Sequence, residues 1–235
     1  MKLAVVTHAE HPELEDTMPE LWPEFMRHDP VVQTFWPRLY DLYADFQLWV
    51  RDRDERATVA YACTLPVNWD GTPSPRGIDW ALSNGAAGEP TTLCALVVAV
   101  VPEYRGLGLA EAILRRMGSI ASAHGLGALI APVRPTWKER YPLTSIHSYL
   151  GWRRADGLFY DPWLRAHQRL GAEVLGAAER SLTITGSRAE WEEWTELTFP
   201  EDGDYVVPGA LAPVRFEGGR GTYVEPNVWM IHRPA

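Results

Sequence analysis

The chain has 235 residues and a formal net charge of −9 at neutral pH, with 46% hydrophobic and 23% charged residues. This composition is typical of a globular protein, and the acidic balance argues against a protein that binds nucleic acid. The two cysteines, Cys63 and Cys94, are too few for a disulfide framework, and no apolar run reaches the roughly 18 residues that a membrane span requires. We therefore expect a cytoplasmic protein that binds neither nucleic acid nor a membrane.

The first 65 residues alternate between short apolar runs and helical patterns. The second helix is expected to bend at Pro37 and to place Phe35, Leu39 and Leu42 on one face. A charged turn separates the last two strands, so these should form an antiparallel hairpin. The predicted elements are a strand, two helices and two strands, in the order Lys2–His8, Thr17–Arg27, Val31–Asp45, Phe46–Arg51 and Ala57–Leu65.

Residues 66–90 are rich in proline and glycine and predict an irregular insertion within a single domain that spans residues 1–235. Connections of this length are uncommon in compact domains and are often functional. One helical turn is expected near Ile78–Leu82. Trp69 and Trp80 favour a packed flap, and a disordered surface excursion is the alternative.

The next stretch organises the rest of the chain. Leu93–Val101 is β-branched and apolar, as in a strand that is buried on both faces. Pro102 ends the strand because it has no N–H group, and Arg105–Gly108 forms a tight loop before a helix that begins at Leu109. A strand, a glycine loop and a helix N-terminus direct backbone N–H groups at one point, and such an arrangement binds phosphate.

Two better-known phosphate loops do not fit this stretch, which lacks both the third glycine of a Rossmann motif and the Gly-Lys-Ser/Thr of a P-loop. The pattern Arg105-x-x-Gly108-x-Ala110 resembles motif A of the GNAT superfamily (GCN5-related N-acetyltransferases), whose amides hold the pyrophosphate of coenzyme A. The resemblance implies an α/β GNAT fold, with a mixed central sheet of about seven strands and about four flanking helices. It implies the following cofactor-binding residues: Val100, Val101, Arg105, Gly106, Leu107, Gly108, Leu109 and Ala110.

Beyond this loop, one helix has clear boundary signals. Asp161 stands at its N-cap, Pro162 at its first position and Gly171 after its end. The order of all the predicted strands and helices along the chain is also that of a GNAT fold. Strand material is expected in four further segments, namely Gly127–Pro132, Ala172–Gly186, Ala189–Leu197 and Gly221–His232.

The resemblance also directs attention to His167. Many amine acetyltransferases of the family carry an acid near the strand before the loop, but Leu93–Val101 contains no acid and no histidine, so a base must come from elsewhere. The family often has a tyrosine shortly before a Gly-Phe pair at the end of the next helix. Here Leu170–Glu173 occupies the place of that pair, and His167 stands four residues before Gly171. An imidazole exchanges protons near neutral pH, although a lone helical histidine is more often a surface or capping residue.

Three segments, Arg134–Lys138, Asp161–His167 and Tyr223–Met230, are similar to GNAT-like modules that open some bacterial polyketide assembly lines. Those modules decarboxylate malonyl thioesters with a threonine and a histidine, and the resemblance carries these roles to Thr136 and His167. Thr136 would hold the thioester oxygen, and His167 would protonate the enolate carbon. The cationic side chains of the first segment either contact a carboxylate or are solvated charges at a strand end.

The sequence therefore predicts an acyltransferase whose donor is acetyl-CoA, another acyl-CoA or an acyl-pantetheine on a carrier protein, and whose acceptor is a small molecule or a carrier protein. A malonyl-thioester decarboxylase and a non-catalytic acyl-CoA-binding domain are the alternatives. No metal is expected, because no His-Glu-x-x-His motif is present and the histidines show no ligand spacing beyond the pair His8 and His11. His147 and His232 are expected to be structural.

Overall fold

The computed structural model describes residues 3–14, 22–52, 54, 57–85 and 87–233. Nine β-strands within these residues form one mixed sheet. The strands are β1 (Leu3–Thr7), β2 (Gln47–Asp52), β3 (Ala57–Val67), β4 (Thr92–Val100), β5 (Leu129–Val133), β6 (Glu173–Ser187), β7 (Gly203–Tyr205), β8 (Val214–Glu217) and β9 (Arg220–His232). Their spatial order is β1-β2-β3-β4-β5-β9-β8-β7, and β6 pairs with β9 outside this path.

Seven α-helices are present in the described part of the chain, and 3₁₀ turns cover Glu24–His28, Ala44–Phe46, Pro102–Tyr104 and Lys138–Arg140. The α-helices are α1 (Pro30–Phe35), α2 (Arg38–Leu42), α3 (Gly77–Asn84), α4 (Leu109–Ala123), α5 (Ile146–Leu150), α6 (Pro162–Arg169) and α7 (Arg188–Thr195). No helix among the residues described here is both long and apolar enough to cross a membrane.

The sheet has a hydrophobic core on each face, and strand β9 shows how the sequence produces both. Successive side chains of a strand point to opposite faces. Val228 and Met230 therefore pack with Met117 of α4, whereas Trp229 and Ile231 pack into the second core. Apolar residues at consecutive positions are required here because both faces of this strand are covered.

The sheet opens between its two parallel neighbours. Strand β4 pairs with β3 along most of its length but with β5 only at Leu93↔Leu129 and Cys94↔Ile130. Strand β5 turns away to pair with β9 in an antiparallel ladder. The remaining length of β4 therefore has no strand partner on this side, and a gap forms toward its C-terminal end.

The predicted α/β class and mixed sheet are confirmed, but the expected counts of strands and helices are too low. Segment Ala189–Leu197 was expected to be a strand and is mostly helix α7. The Ser187 hydroxyl accepts the N–H of Glu190, whose carboxylate accepts the N–H of Ser187 in return, so α7 begins with a capping box. This Ser-x-x-Glu signal was present in the sequence. Strand β7 has only three residues, too few to show an alternating pattern, whereas β8 does alternate between buried apolar and exposed charged residues over its four positions.

The bend expected at Pro37, in a helix over Val31–Asp45, is a complete break, because α1 ends at Phe35 and α2 begins at Arg38. The expectation of one continuous apolar face is wrong at Leu42, which is 62% exposed, whereas Leu39 is buried. The helix predicted from Thr17 falls partly outside the described residues. The expected helical turn near Ile78–Leu82 is present as the longer helix α3.

Candidate active site

A cavity of about 420 Å³ lies where β4 and β5 separate. It extends from the loop before α4 to the segment after β5 and to helix α6. Half of the ten predicted site residues contribute to its wall, namely Val100, Arg105, Ala110, Thr136 and His167. The structure thus brings together residues that lie far apart in the sequence and assigns them to one cleft.

The other predicted loop residues are not part of the cavity wall. Leu107 is 52% exposed, and Leu109 is buried in the core beneath α4. Arg105 turns back toward the strand, where its Nε donates to the carbonyl oxygen of Val100 at 3.1 Å. The loop therefore offers backbone groups to a ligand more than side chains.

The backbone of this loop has the geometry of an anion site. Gly106 and Gly108 have φ angles of 80° and 76°, in the left-handed region that favours glycine. Within the described chain, the N–H groups of Gly106, Leu107 and Gly108 donate to no other backbone group, and Gly108 supplies no side-chain cap to α4. Free amides at a helix N-terminus attract negative charge. The loop is therefore suited to a phosphate or a diphosphate.

His167 is buried and contributes to the cavity wall. Its Nδ1 lies 2.9 Å from Nε2 of His232, and its own Nε2 has no hydrogen-bond partner in the described chain. The ring packs edge-on against Trp163. Burial, and to a smaller extent the nearby His232, lowers the pKa of His167 to about 3. The imidazole is therefore neutral at physiological pH and has one nitrogen free for a ligand.

Thr136 follows the end of β5 and is exposed to the cavity. Its hydroxyl makes no hydrogen bond to the residues that the structure describes, so it remains able to donate to a ligand. Strand β4, by contrast, offers no side chain that could accept a proton. It contains no acid and no histidine, and burial raises the pKa of the Cys94 thiol, which therefore stays protonated. Proton transfer in this cleft therefore depends on groups outside β4.

One buried carboxylate joins the two segments that carry Thr136 and His167. Oδ1 of Asp161 accepts the N–H groups of the second and third residues of α6, at 2.9 and 3.1 Å. Oδ2 accepts the N–H of Trp137 at 2.8 Å and the hydroxyl of Tyr149 at 2.9 Å. Asp161 therefore holds the residue after Thr136 against the start of the His167 helix.

We expect Asp161→Ala to lower the free energy of unfolding by about 2–4 kcal/mol, because it removes a helix cap and leaves buried N–H and O–H donors unpaired. Urea denaturation measures this change. Ser187→Ala, which removes the exposed cap of α7, is the matched control and should cost about 1 kcal/mol. An Asp161→Ala protein as stable as the control would contradict the bridging role.

The two cations after β5 were expected to be solvated or to contact a ligand carboxylate. Lys138 does neither, because its buried ammonium donates to the carbonyl oxygens of Tyr141 and Leu211. Burial lowers the pKa of Lys138 to about 8. Arg134 lines the cavity, but its Nε donates to the buried carboxylate of Glu225 at 2.9 Å. Both side chains are thus engaged within the protein.

A second cavity, of about 270 Å³, adjoins the first. The walls of the two cavities share Trp22, Leu96 and Val97. The second wall is mainly apolar. Its polar groups in the described chain are the side chains of Arg27 and Gln33, the Tyr61 hydroxyl, and the Trp22 indole N–H, which donates to that hydroxyl. A ligand bound there would lie next to a ligand bound in the cleft.

Sequence reasoning missed two members of this site. His232 was expected to be structural, and its contact with His167 joins residues 65 positions apart. Asp161 was identified as a helix cap, but the contact of its second oxygen with Trp137 depends on tertiary packing. Among the residues described, no group of three or more His, Cys, Asp or Glu side chains is placed to hold a metal ion.

No protein-family model matches the chain. Two solved structures share its fold along 99% of its length: the loading GNATL domain of CurA from Lyngbya majuscula and the GphF GNAT-like decarboxylase in complex with isobutyryl-CoA. The TM-scores are 0.67 and 0.62, with 14% and 15% sequence identity, and 98% and 99% of those chains are covered.

A characterised relative is closer in sequence. The arginine N-acetyltransferase avaD of Aspergillus versicolor is 32% identical over 252 residues, which cover 93% of this chain and 87% of that protein. A match of this extent includes the loop, the cleft and helix α6, and it favours an enzyme over a non-catalytic binding domain. The chain therefore belongs to the GNAT superfamily, and it is an acyltransferase that uses an acyl-CoA as its donor.

Proposed function

We propose that the enzyme transfers an acetyl group from acetyl-CoA to a nitrogen atom of arginine or of a small molecule built on arginine. The observation that carries this proposal is the match along 93% of the chain to an arginine N-acetyltransferase.

The donor would bind through the loop before α4. The diphosphate accepts hydrogen bonds from the amides of Gly106, Leu107 and Gly108 and from the first turn of α4. Ala110 lets the phosphate approach closely because its side chain is small. The pantetheine arm then enters the gap between β4 and β5, which places the thioester beside Thr136 and His167.

Reaction in the cleft requires a neutral nitrogen and a stabilised oxyanion. His167 Nε2 accepts a proton from the acceptor nitrogen, which attacks the thioester carbon. The Thr136 hydroxyl donates a hydrogen bond to the carbonyl oxygen as negative charge develops there. The C–N bond forms and the C–S bond breaks. The departing thiolate takes up the second proton that the nitrogen loses and leaves as free CoA.

The acceptor would occupy the second cavity, because its wall joins that of the cleft at Leu96 and Val97. Trp22 contributes to both walls and would contact the acceptor next to the reacting nitrogen. Arg27 also lies at this wall, where its guanidinium forms an ion pair with Glu24 at 3.0 Å, and a carboxylate of the acceptor would lie beside that pair. A free small molecule fits this space of about 270 Å³ better than a segment of a carrier protein does.

Decarboxylation of a malonyl thioester is the second candidate, because Thr136 and His167 line one cavity and β4 carries no acid. That reaction needs an oxyanion donor and a proton for the enolate carbon, which these two residues would supply. The pairing of Arg134 with Glu225 engages the cation that would otherwise meet a malonyl carboxylate. This feature favours acyl transfer.

The test is a comparison of donors and acceptors by mass spectrometry. With acetyl-CoA, we expect L-arginine to yield acetylated arginine and free CoA, and lysine to react more slowly because it lacks a guanidinium group. Agmatine, which lacks the carboxylate, shows whether that group of the acceptor contributes to binding. Malonyl-CoA that becomes acetyl-CoA without any acceptor, while arginine remains unmodified, would overturn the proposal in favour of the decarboxylase.

A further inference from the structure

The pair formed by His167 and His232 connects two cavities that share no residue. His167 lines the cleft between β4 and β5. His232, at the end of β9, lines a separate surface depression of about 460 Å³ next to the C-terminal half of α4, together with Arg115, Ser119, Ser122 and Arg233. The 2.9 Å contact between Nδ1 of His167 and Nε2 of His232 is the link between them.

We propose that His232 is the second member of a proton relay, which carries the proton released by the acceptor from His167 to water at the surface depression. The inference rests on the proposed function, since it assumes that a nitrogen loses its proton in the cleft. It makes His232 a residue that acts through His167 and does not touch the substrate.

The stoichiometry of the reaction requires that one proton leaves the active site in each cycle. A protonated amine or guanidinium that becomes an N-acetyl group loses two protons, of which the departing thiolate takes one. The second proton has to leave the protein. A closed cleft filled by donor and acceptor has little bulk water to receive it, so a path through the protein is an advantage.

The environments of the two rings favour proton transfer from His167 to His232. His167 is 1% exposed, so an imidazolium there would be strongly disfavoured. If Nε2 gains a proton while Nδ1 gives its proton to His232, the ring of His167 stays neutral throughout. His232 is only partly buried, and the transferred charge therefore reaches water.

The charges around His232 favour release. Arg115 and Arg233 line the same depression and repel a second cation, and burial also lowers the pKa of His232. An imidazolium at this position is thus a strong enough acid to pass its Nδ1 proton to water. Both rings are then left with their proton on Nε2. After product release the starting tautomers return when His167 gives its Nε2 proton to water in the open cleft, His232 returns its Nε2 proton to Nδ1 of His167, and Nδ1 of His232 takes up a proton from water.

The test compares His232→Gln with His232→Leu in single-turnover acetyl transfer from acetyl-CoA to arginine. Glutamine retains a group that accepts the Nδ1–H of His167 but cannot pass a proton on, whereas leucine retains neither function. We expect both variants to lose about 100-fold in rate. CoA binding and the unfolding temperature should match those of His124→Gln, which removes an exposed histidine at the end of α4 and serves as control.

Chemical rescue supplies a readout that a structural role would not move. In His232→Ala, added imidazole should enter the depression and restore at least about ten-fold of the lost rate, in line with general acid–base catalysis. Full activity of His232→Gln, with loss only in His232→Leu, would show that His232 merely holds His167 in its Nδ1–H tautomer. This result would overturn the relay. No change in either variant would overturn it as well. An inactive wild-type enzyme would instead reject the proposed function itself.

Discussion

His167→Ala should lower the turnover of acetyl transfer by about 100- to 10,000-fold, the usual range for the loss of a general acid–base group. The reason is that His167 Nε2 is the buried nitrogen in the cleft that lacks a partner within the described chain, and β4 offers no alternative base. Single-turnover kinetics with acetyl-CoA measures the effect. The Kd of CoA should stay unchanged, because the diphosphate contacts are made by the loop before α4.

Two further variants separate the loss of the catalytic imidazole from a packing defect and from the loss of any histidine. His167→Gln conserves most of the buried volume, so a loss of activity in both variants cannot be attributed to a cavity in the core. His147→Ala removes an exposed histidine that pairs with Glu179 on the surface and should leave the rate unaltered. Retention of the wild-type rate in both His167 variants would remove this residue from the mechanism.

Gly108→Ala should weaken CoA binding by at least about ten-fold, which corresponds to about 1.4 kcal/mol. Alanine is strained at the φ of 76°, and its methyl group would occupy the open space above the loop, where no protein atom lies within 4 Å of a Cβ. Both effects disturb the amides that face the diphosphate. Isothermal titration calorimetry with CoA measures the loss.

Gly125→Ala is the matched control for this variant. Gly125 follows the other end of α4, with a φ of 70° and equally open space around a Cβ. The two substitutions should therefore lower the unfolding temperature by similar amounts, and only Gly108→Ala should weaken CoA binding. Equal affinity in the two variants would show that the loop amides are not the diphosphate site.

Much of the fold was predictable from local signals. Pro102 and the glycines after it marked the transition from β4 to α4, and Asp161, Pro162 and Gly171 framed α6. These signals depend on neighbouring residues only, because a missing N–H group or a positive φ constrains the chain wherever it occurs. The pair Gly218-Gly219, whose φ angles are positive, is a similar local marker for the tight turn from β8 to β9. Strand β7 has only three residues and takes its form from pairing with β8.

The site was predictable only in part, for a related reason. The glycine loop was visible in the sequence as a local motif, and the positions of Thr136 and His167 came from resemblance to a family. The bridge made by Asp161 and the contact of His167 with His232 are long-range features that appear only when β9, α6 and the end of β5 are assembled. The engagement of Arg134 by Glu225 could not be read from either residue alone, since they lie 91 positions apart.

The most direct test of this account is a crystal structure with a non-hydrolysable acetyl-CoA analogue. We expect the diphosphate to lie within hydrogen-bonding distance of the amides of Gly106 and Gly108, with the acyl carbonyl between β4 and β5 beside the Thr136 hydroxyl and His167 Nε2. A diphosphate bound elsewhere, or an acyl group outside the gap between these strands, would contradict it.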